Sequence, residues 1–238
     1  MESLIEIVGF LKYGDFCIIH MKVNKNIFNK IANLEHLFVA WNEFKLGKGS
    51  RPDVMEFETN LEPNLFELYR EIENMSYKHR SYVGFFITDP KRRHVHKASV
   101  RDRILHHAIF SILNPIFEPT FIAYSFSCRE NKGSHKGVEM VERMLLKESR
   151  NNTLPCFALK CDIKKFFDSI DHEVLLSILD RKIRDMKAMW LMREIIGSYQ
   201  SEESGIKRER ERESWRYAPP RNTDWKSYFP TLCQCLYE

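Results

Sequence analysis

Targeting and membrane signals are the first thing this 238-residue chain lacks. Its lead, "MESLIEIVGFLKYGDFCII", has no basic n-region, and Lys12 and Asp15 interrupt its apolar residues. That pattern excludes a signal peptide and falls short of the roughly 18 uncharged apolar residues of a membrane span. A cytoplasmic chain with no membrane partner is expected. Cysteine is scarce and scattered, at Cys17, Cys128, Cys156, Cys161, Cys233 and Cys235, and only the last two stand close together. No second pair with metal-ligand spacing accompanies them, so free thiols and no zinc are expected. HExxH and comparable ligand spacings are absent, and "GKGS" at 47–50 has no GxxxxGK[ST] frame around it. Those gaps argue against a histidine metal site and against a nucleotide P-loop. No internal repeat is evident.

What is present is an ordinary globular composition, 43% hydrophobic and 29% charged, in a chain long enough for one large domain or two small ones. Net charge is only +4, but its distribution is uneven. Between Lys78 and His107 stand eight Lys and Arg against two Asp, with five of the nine His. Such a local positive face suits a polyanion.

Periodicity predicts mainly helices. "IFNKIANLEHLFVAWNEF" carries Ile27, Ile31, Leu34, Leu37, Phe38 and Trp41 at helical spacing, ended by "KLGKGSRPD". A second helix is expected over "EPNLFELYREIENM", with Pro63 in its first turn. "RSYVGFFITD" reads as a strand bounded by Asp89 and Pro90, and "PKRRHVHK" follows as a basic hairpin or strand entry. Val100, Ile104, Leu105, Ala108, Ile109, Ile112 and Leu113 mark the clearest helix, with Ser99 and Asp102 as its cap and Pro115 and Pro119 as its expected end. The basic loop "NKGSHKG" leads to a helix with Val138, Val141, Met144 and Leu145 on one face. In "LPCFALKCDIKKFFDSIDHEVLLSIL", Phe157, Leu159, Cys161 and Ile163 alternate with Ala158, Lys160 and Asp162 as in a strand. Asp171 can cap the next helix, whose inner face is Val174, Leu175, Ile178, Leu179 and Ile183.

Each candidate has a plain reading beside its functional one. An aspartate ending a strand, as Asp162 does, can hold a divalent cation against phosphate oxygens, yet such a residue also serves as a turn or cap. "PKRRHVHK" is a phosphate surface or simply a solvated hairpin. His106 and His107 read as surface or boundary residues, and Phe166 and Phe167 as core side chains.

Several segments together carry what none carries alone. "FFITDPKRRHVHKASVRDRILHHAIFSILNPIFEPTFIAYSFSCRENKGSHKG" followed by "LKCDIKKFFDSIDHEVL" resembles the fingers and first palm motifs of bacterial reverse transcriptases, of the retron-like, diversity-generating retroelement and group II intron type. The resemblance covers residues 35 to 200. It implies an α+β chain, a partial right-hand polymerase fold with helical fingers and an incomplete palm sheet. Residues 1–30 would be a lead-in, 31–155 fingers, 156–200 the start of the palm, and 201–238 a non-native tail. The implied activity is RNA-directed DNA polymerisation on an RNA template and DNA primer, with dNTPs and two Mg2+ ions. By position, Asp162 would be the first catalytic aspartate and ligand both ions, Ile163 would offer its carbonyl to one, and Phe167 would lie beneath the deoxyribose. Lys91 and Arg93 would hold template or incoming triphosphate, and Arg103 and Arg129 match further basic positions of the pattern.

The largest departure is an absence. No adjacent Asp-Asp, and hence no YxDD, occurs anywhere in the chain, and the GxPxGN turn followed by TSQ is missing too. Read one nucleotide later, however, Arg221 to Trp225 permit Gly-Ile-Pro-Ile-Gly, and Lys226 to Pro230 permit Asn-Leu-Thr-Ser-Gln. Trp225 is encoded by TGG, so its shifted codon must encode glycine, and Gln234 before Cys235 yields only asparagine or serine. A frameshift between Gly205 and Arg221, or a sequencing error there, is therefore expected, leaving an inactive product; the alternative is a non-catalytic nucleic-acid-binding or regulatory fragment.

Overall fold

The computed structural model describes residues 5–10, 16–21, 24–88, 92–127, 129–161 and 170–199. Near the N-terminus β1 (Ile5–Phe10) and β2 (Phe16–Met21) pair antiparallel, Ile5 opposite Met21 and Phe10 opposite Phe16. The single helix expected from Ile27 onward is two. α1 (Ile27–Ile31) stops at Ala32, and α2 (Leu34–Lys45) begins after Asn33, whose side chain accepts the His36 amide. A capping carboxamide competes for backbone hydrogen bonds, which is why an unbroken apolar period did not produce an unbroken helix.

After the turn at 46–50, where Gly47 takes a φ of 68°, comes α3 (Pro52–Thr59), an element the periodicity did not mark. Pro52 starts it, and Val54 is its buried anchor. α4 (Leu61–Glu73) follows and turns Leu65, Leu68 and Ile72 inward. β3 (Val83–Thr88) and β4 (Arg92–Lys97) form an antiparallel hairpin with Val83 opposite Lys97 and Thr88 opposite Arg92. The whole of β3 is exposed.

α5 (Val100–Phe117) is the spine of the molecule. The Ser99 hydroxyl accepts from the Asp102 amide and donates to the Asp102 carboxylate, as the spacing predicts. Pro115 does not end it; the helix runs on to Phe117, whose fully buried ring anchors the last turn, and a 3-10 turn over Glu118–Thr120 follows. One lost amide is outweighed where both flanks of the proline are packed. α1, α2, α3 and α4 pack on α5, and α1 also touches α8.

α6 (Ser134–Glu148) starts earlier than the loop reading placed it, with Gly133 at φ 101° before it, and none of its residues is buried. α7 (His172–Lys182) is capped by Asp171, which accepts from the Glu173 and Val174 amides, and buries Leu175, Leu176, Ile178 and Leu179. α8 (Met186–Ser198) is capped by Asp185. One apolar cluster joins α1, α2, α4, α5, α7 and α8. Helices plus small two-stranded sheets thus make an α+β chain, with no larger sheet among the described residues.

The strand expected at 157–162 is a correction. Residues 155–161 carry no regular structure, and Phe157 and Leu159 are 93% and 90% exposed. A lone alternating segment has no ladder to satisfy its backbone groups, and among the described residues no strand lies beside it. Apolar surface is left unburied there and along Val138, Val141, Met144 and Leu145 of α6.

Candidate nucleic-acid interface

The β3–β4 register places Phe86 opposite His94 and Gly84 opposite His96, so these residues share one face of the hairpin. On that face the Arg92 guanidinium lies 4.0 Å over the Phe86 ring. Phe86 stacks on His94 at 4.7 Å, and His94 meets His96 edge-on at 4.5 Å. A β-carbon at Gly84 would come within 2.6 Å of His94 Nε2, so the missing side chain is what lets the imidazole lie across the strand. From His96 the ring contacts continue through Tyr199, Tyr82 and His79 to His106 in α5. An exposed cation among aromatic faces is the chemistry that stacks bases and opposes phosphate charge.

The hairpin is fastened at its base. Lys97 Nζ and Arg103 Nη2 both reach Asp53 Oδ2 at 2.6 Å, tying β4, α5 and α3 together. Burial alone would raise the Asp53 carboxyl, but the Lys97 and Arg103 charges outweigh it and hold it below its usual range. Asp102 is a second knot, 0% exposed. It accepts from Tyr77 Oη at 2.8 Å, the Arg80 amide at 3.1 Å and the Ser99 hydroxyl at 2.6 Å. Arg101 adds a contact at 3.4 Å to Asp102, grips Glu71 with one nitrogen at 2.7 and 2.8 Å, and donates to the Lys78 carbonyl. Burial again pushes the Asp102 carboxyl up, and the Ser99 hydroxyl, the His79 charge, Tyr77 and Arg101 prevail to lower it.

His106 and His107 are not surface residues: they are 3% and 5% exposed. Burial drives both down, His106 to about 3 with help from His79, and His107 to about 4 with help from Lys48 and Arg103. The sequence missed this because charged and histidine residues at 101–107 occupy the same helix as the apolar stripe and mask a helix buried nearly all round.

Of the residues expected in a site, Lys91, Asp162, Ile163 and Phe167 lie outside the described residues. Arg93 stands in β4 opposite Ile87. Arg103 is buried against Asp53, over the Phe44 ring at 4.9 Å. Arg129 donates twice to Glu118 Oε1 and to the carbonyls of Ile122 and Ser125, closing the loop before α6. Arg103 and Arg129 are therefore both anchored in ion pairs, and they are not brought together. Arg92, His94 and His96 are marked in the sequence only as part of the basic segment, and Phe86 only as part of the strand before it; the alternation on both strands, read against Gly84, carries the signal of the stack. Cys156 and Cys161 are exposed free thiols. Among the described residues no three His, Cys, Asp or Glu side chains converge as a metal site, and no helix is long and apolar enough to cross a membrane.

No protein-family model matches the chain. It is 24% identical over 188 residues to a COX1/OXI3 intron 1 protein of Saccharomyces cerevisiae, covering 77% of this chain and 22% of that protein. An uncharacterised 91 kDa protein in a cob intron of Schizosaccharomyces pombe is 22% identical over 185 residues, 75% of this chain and 22% of that protein. The group II intron-encoded protein LtrA of Lactococcus lactis is 30% identical over 91 residues, 38% of this chain and 14% of LtrA. The chain thus spans about a fifth or less of the length of these relatives. The proteins it resembles in sequence are thus intron proteins, one of them a group II intron-encoded protein.

Proposed function

We propose that the chain is part of an RNA-directed DNA polymerase of the group II intron type, with residues 31–155 in the fingers and 156–200 at the start of the palm. The observation that carries this reading is sequence similarity to an intron protein over 188 residues, joined to family motifs in the family's order. In this reading Asp162 and the Ile163 carbonyl ligand Mg2+, and Phe167 sits beneath the deoxyribose of an incoming dNTP. When bound, the ions would activate a primer hydroxyl and steady pyrophosphate. Hard cations need several oxygen ligands, and without an Asp-Asp pair the 238-residue chain is left with Asp162 alone from that set. The chain itself is therefore inactive as a polymerase, with 201–238 a frameshifted tail. Primer extension on an RNA template with Mg2+ and dNTPs tests this. Incorporation no greater than that of Asp162→Ala is expected; clear incorporation above that control overturns the inactivity.

A second reading, nucleic-acid binding without catalysis, is favoured by the exposed Arg92, Phe86 and His94 stack. Filter binding of an RNA oligonucleotide across a salt series should show affinity falling steeply with salt. Binding indifferent to salt, or none, removes this reading.

A further inference from the structure

A second concave surface lies away from the hairpin, where the chain entering α1 meets the start of α8. Lys25, Asn26, Asn29, Arg184, Asp185 and Lys187 line a cleft of about 410 Å³. The two segments are joined by backbone hydrogen bonds, the Asn24 amide to the Lys182 carbonyl at 3.0 Å and the Arg184 amide to the Asn24 carbonyl at 3.2 Å. Lys25 and Arg184 are therefore set side by side by a fixed bridge between positions far apart in sequence.

Three cations face one carboxylate, and that carboxylate is already committed. Asp185 Oδ2 accepts from the Phe28 amide at 2.8 Å, and Oδ1 accepts from the Lys187 and Ala188 amides at 3.1 and 3.2 Å. The helix amides thus have a partner, and attraction for an anion must come from side chains. Lys187 Nζ lies 5.4 Å over the Phe28 ring, which holds its stem along the cleft wall. Arg184 is only loosely engaged, 3.9 Å from Asp180, with both side chains about half exposed. The Asn26 and Asn29 carboxamides supply neutral donors beside them.

We infer that this cleft between α1 and α8 binds backbone phosphates of a nucleic acid, as a contact separate from the β3–β4 hairpin. The inference rests on the nucleic-acid reading above and extends it to a second surface. A cleft edged by two lysines and an arginine suits a phosphodiester strand better than a small apolar ligand. Lysine contributes mobile point charge, and arginine a fixed fork.

The test uses the 238-residue chain and a single-stranded oligo(U) RNA in filter binding across a salt series. Three proteins are compared: the unsubstituted chain, a Lys25→Gln/Arg184→Gln/Lys187→Gln variant, and Arg92→Gln in the hairpin. Loss of three single-strand phosphate contacts should reduce the slope of log affinity against log salt by about 2, at roughly 0.7 per contact. A single Lys187→Glu variant should lower affinity on its own, and circular dichroism melting should match the unsubstituted chain. An unchanged slope and affinity in both cleft variants overturns the inference. If Arg92→Gln alone then weakens binding, the hairpin reading survives that failure. If the unsubstituted chain does not bind the RNA at all, both fall.

Discussion

Tyr77 Oη donates to Asp102 Oδ1 at 2.8 Å inside the core, joining the end of the α4 segment to the first turn of α5. Both residues are 0% exposed, so this hydrogen bond has no water to replace it. Burial, followed by the neighbouring Asp102 carboxylate, pushes the Tyr77 hydroxyl far up and favours its protonated, donating form. The same carboxylate receives Ser99, Arg80 and Arg101, so the entry to the hairpin and the N-terminus of α5 share one anchor.

Removing the two ends of this pair should have unequal effects. Tyr77→Phe deletes one donor while other partners remain on the carboxylate, and a loss of about 1 to 2 kcal/mol is expected. Asp102→Ala leaves the Tyr77 hydroxyl and the Arg80 amide without their acceptor, while Arg101 keeps Glu71, and should cost about 3 to 5 kcal/mol. Urea denaturation followed by circular dichroism measures both. Equal losses in the two variants would mean that the carboxylate is not the hub.

Acid should destabilise the chain before its carboxylates titrate. His106 and His107 are neutral in the fold, with values near 3 and 4, against about 6.5 when unfolded. The unfolded state therefore binds more protons between those limits, so stability is fully present above pH 6.5 and falls as pH drops towards 4 and 3. For His106 the loss at pH 5 is roughly 2 kcal/mol. Urea midpoints at pH 7 and pH 5 should differ, and His106→Leu should narrow the gap. An equal gap in that variant would assign the acid sensitivity elsewhere.

Asp185 closes the fold from another direction. Its Oδ1 caps α8 and its Oδ2 holds the Phe28 amide of α1, 157 residues away in sequence. A local cap contributes about 1 kcal/mol, and a second, long-range contact is lost with it, so Asp185→Ala should cost about 2 kcal/mol by urea denaturation. Asp185→Asn retains one acceptor and should recover part of the loss. If Asp185→Ala lowers stability no more than Asp171→Ala, which removes only a local cap, the contact to α1 carries nothing.

How far the sequence foretold this fold depends on whether the signal was local. Ser99 with Asp102, and Asp171, are legible because a cap is decided within four residues. α3 escaped because its one buried anchor, Val54, makes no period. Nothing local marks Asp53 or Asp185; their roles come from Lys97, Arg103 and Phe28, which are distant in sequence. The basic hairpin was visible in composition, yet the pattern of Arg92, Phe86 and His94 exists only once two strands are in register. Asp162 sits after a segment that alternates like a strand but lies exposed at 155–161, since alternation does not supply the neighbour a strand must pair with.

The hairpin's stacked face offers a test that separates binding from folding. Gly84 leaves room for His94, and an added β-carbon would meet its Nε2 at 2.6 Å. The contact is with the far end of a rotatable side chain, so Gly84→Ala should move the imidazole rather than break the hairpin. Exposed β3 contributes little to the core, and alanine limits the unfolded backbone more than glycine does. The melting temperature should stay within a few degrees. His94 would leave the Phe86 ring, on which Arg92 would still lie, and the stack would lose one of its aromatic members. Since base stacking on an aromatic contributes roughly 1 to 3 kcal/mol, oligo(U) affinity should fall at least fivefold in filter binding, with the salt slope unchanged because no charge is removed. Unaltered affinity in a variant whose His94 resonances have shifted by NMR would show that the stack does not engage nucleic acid.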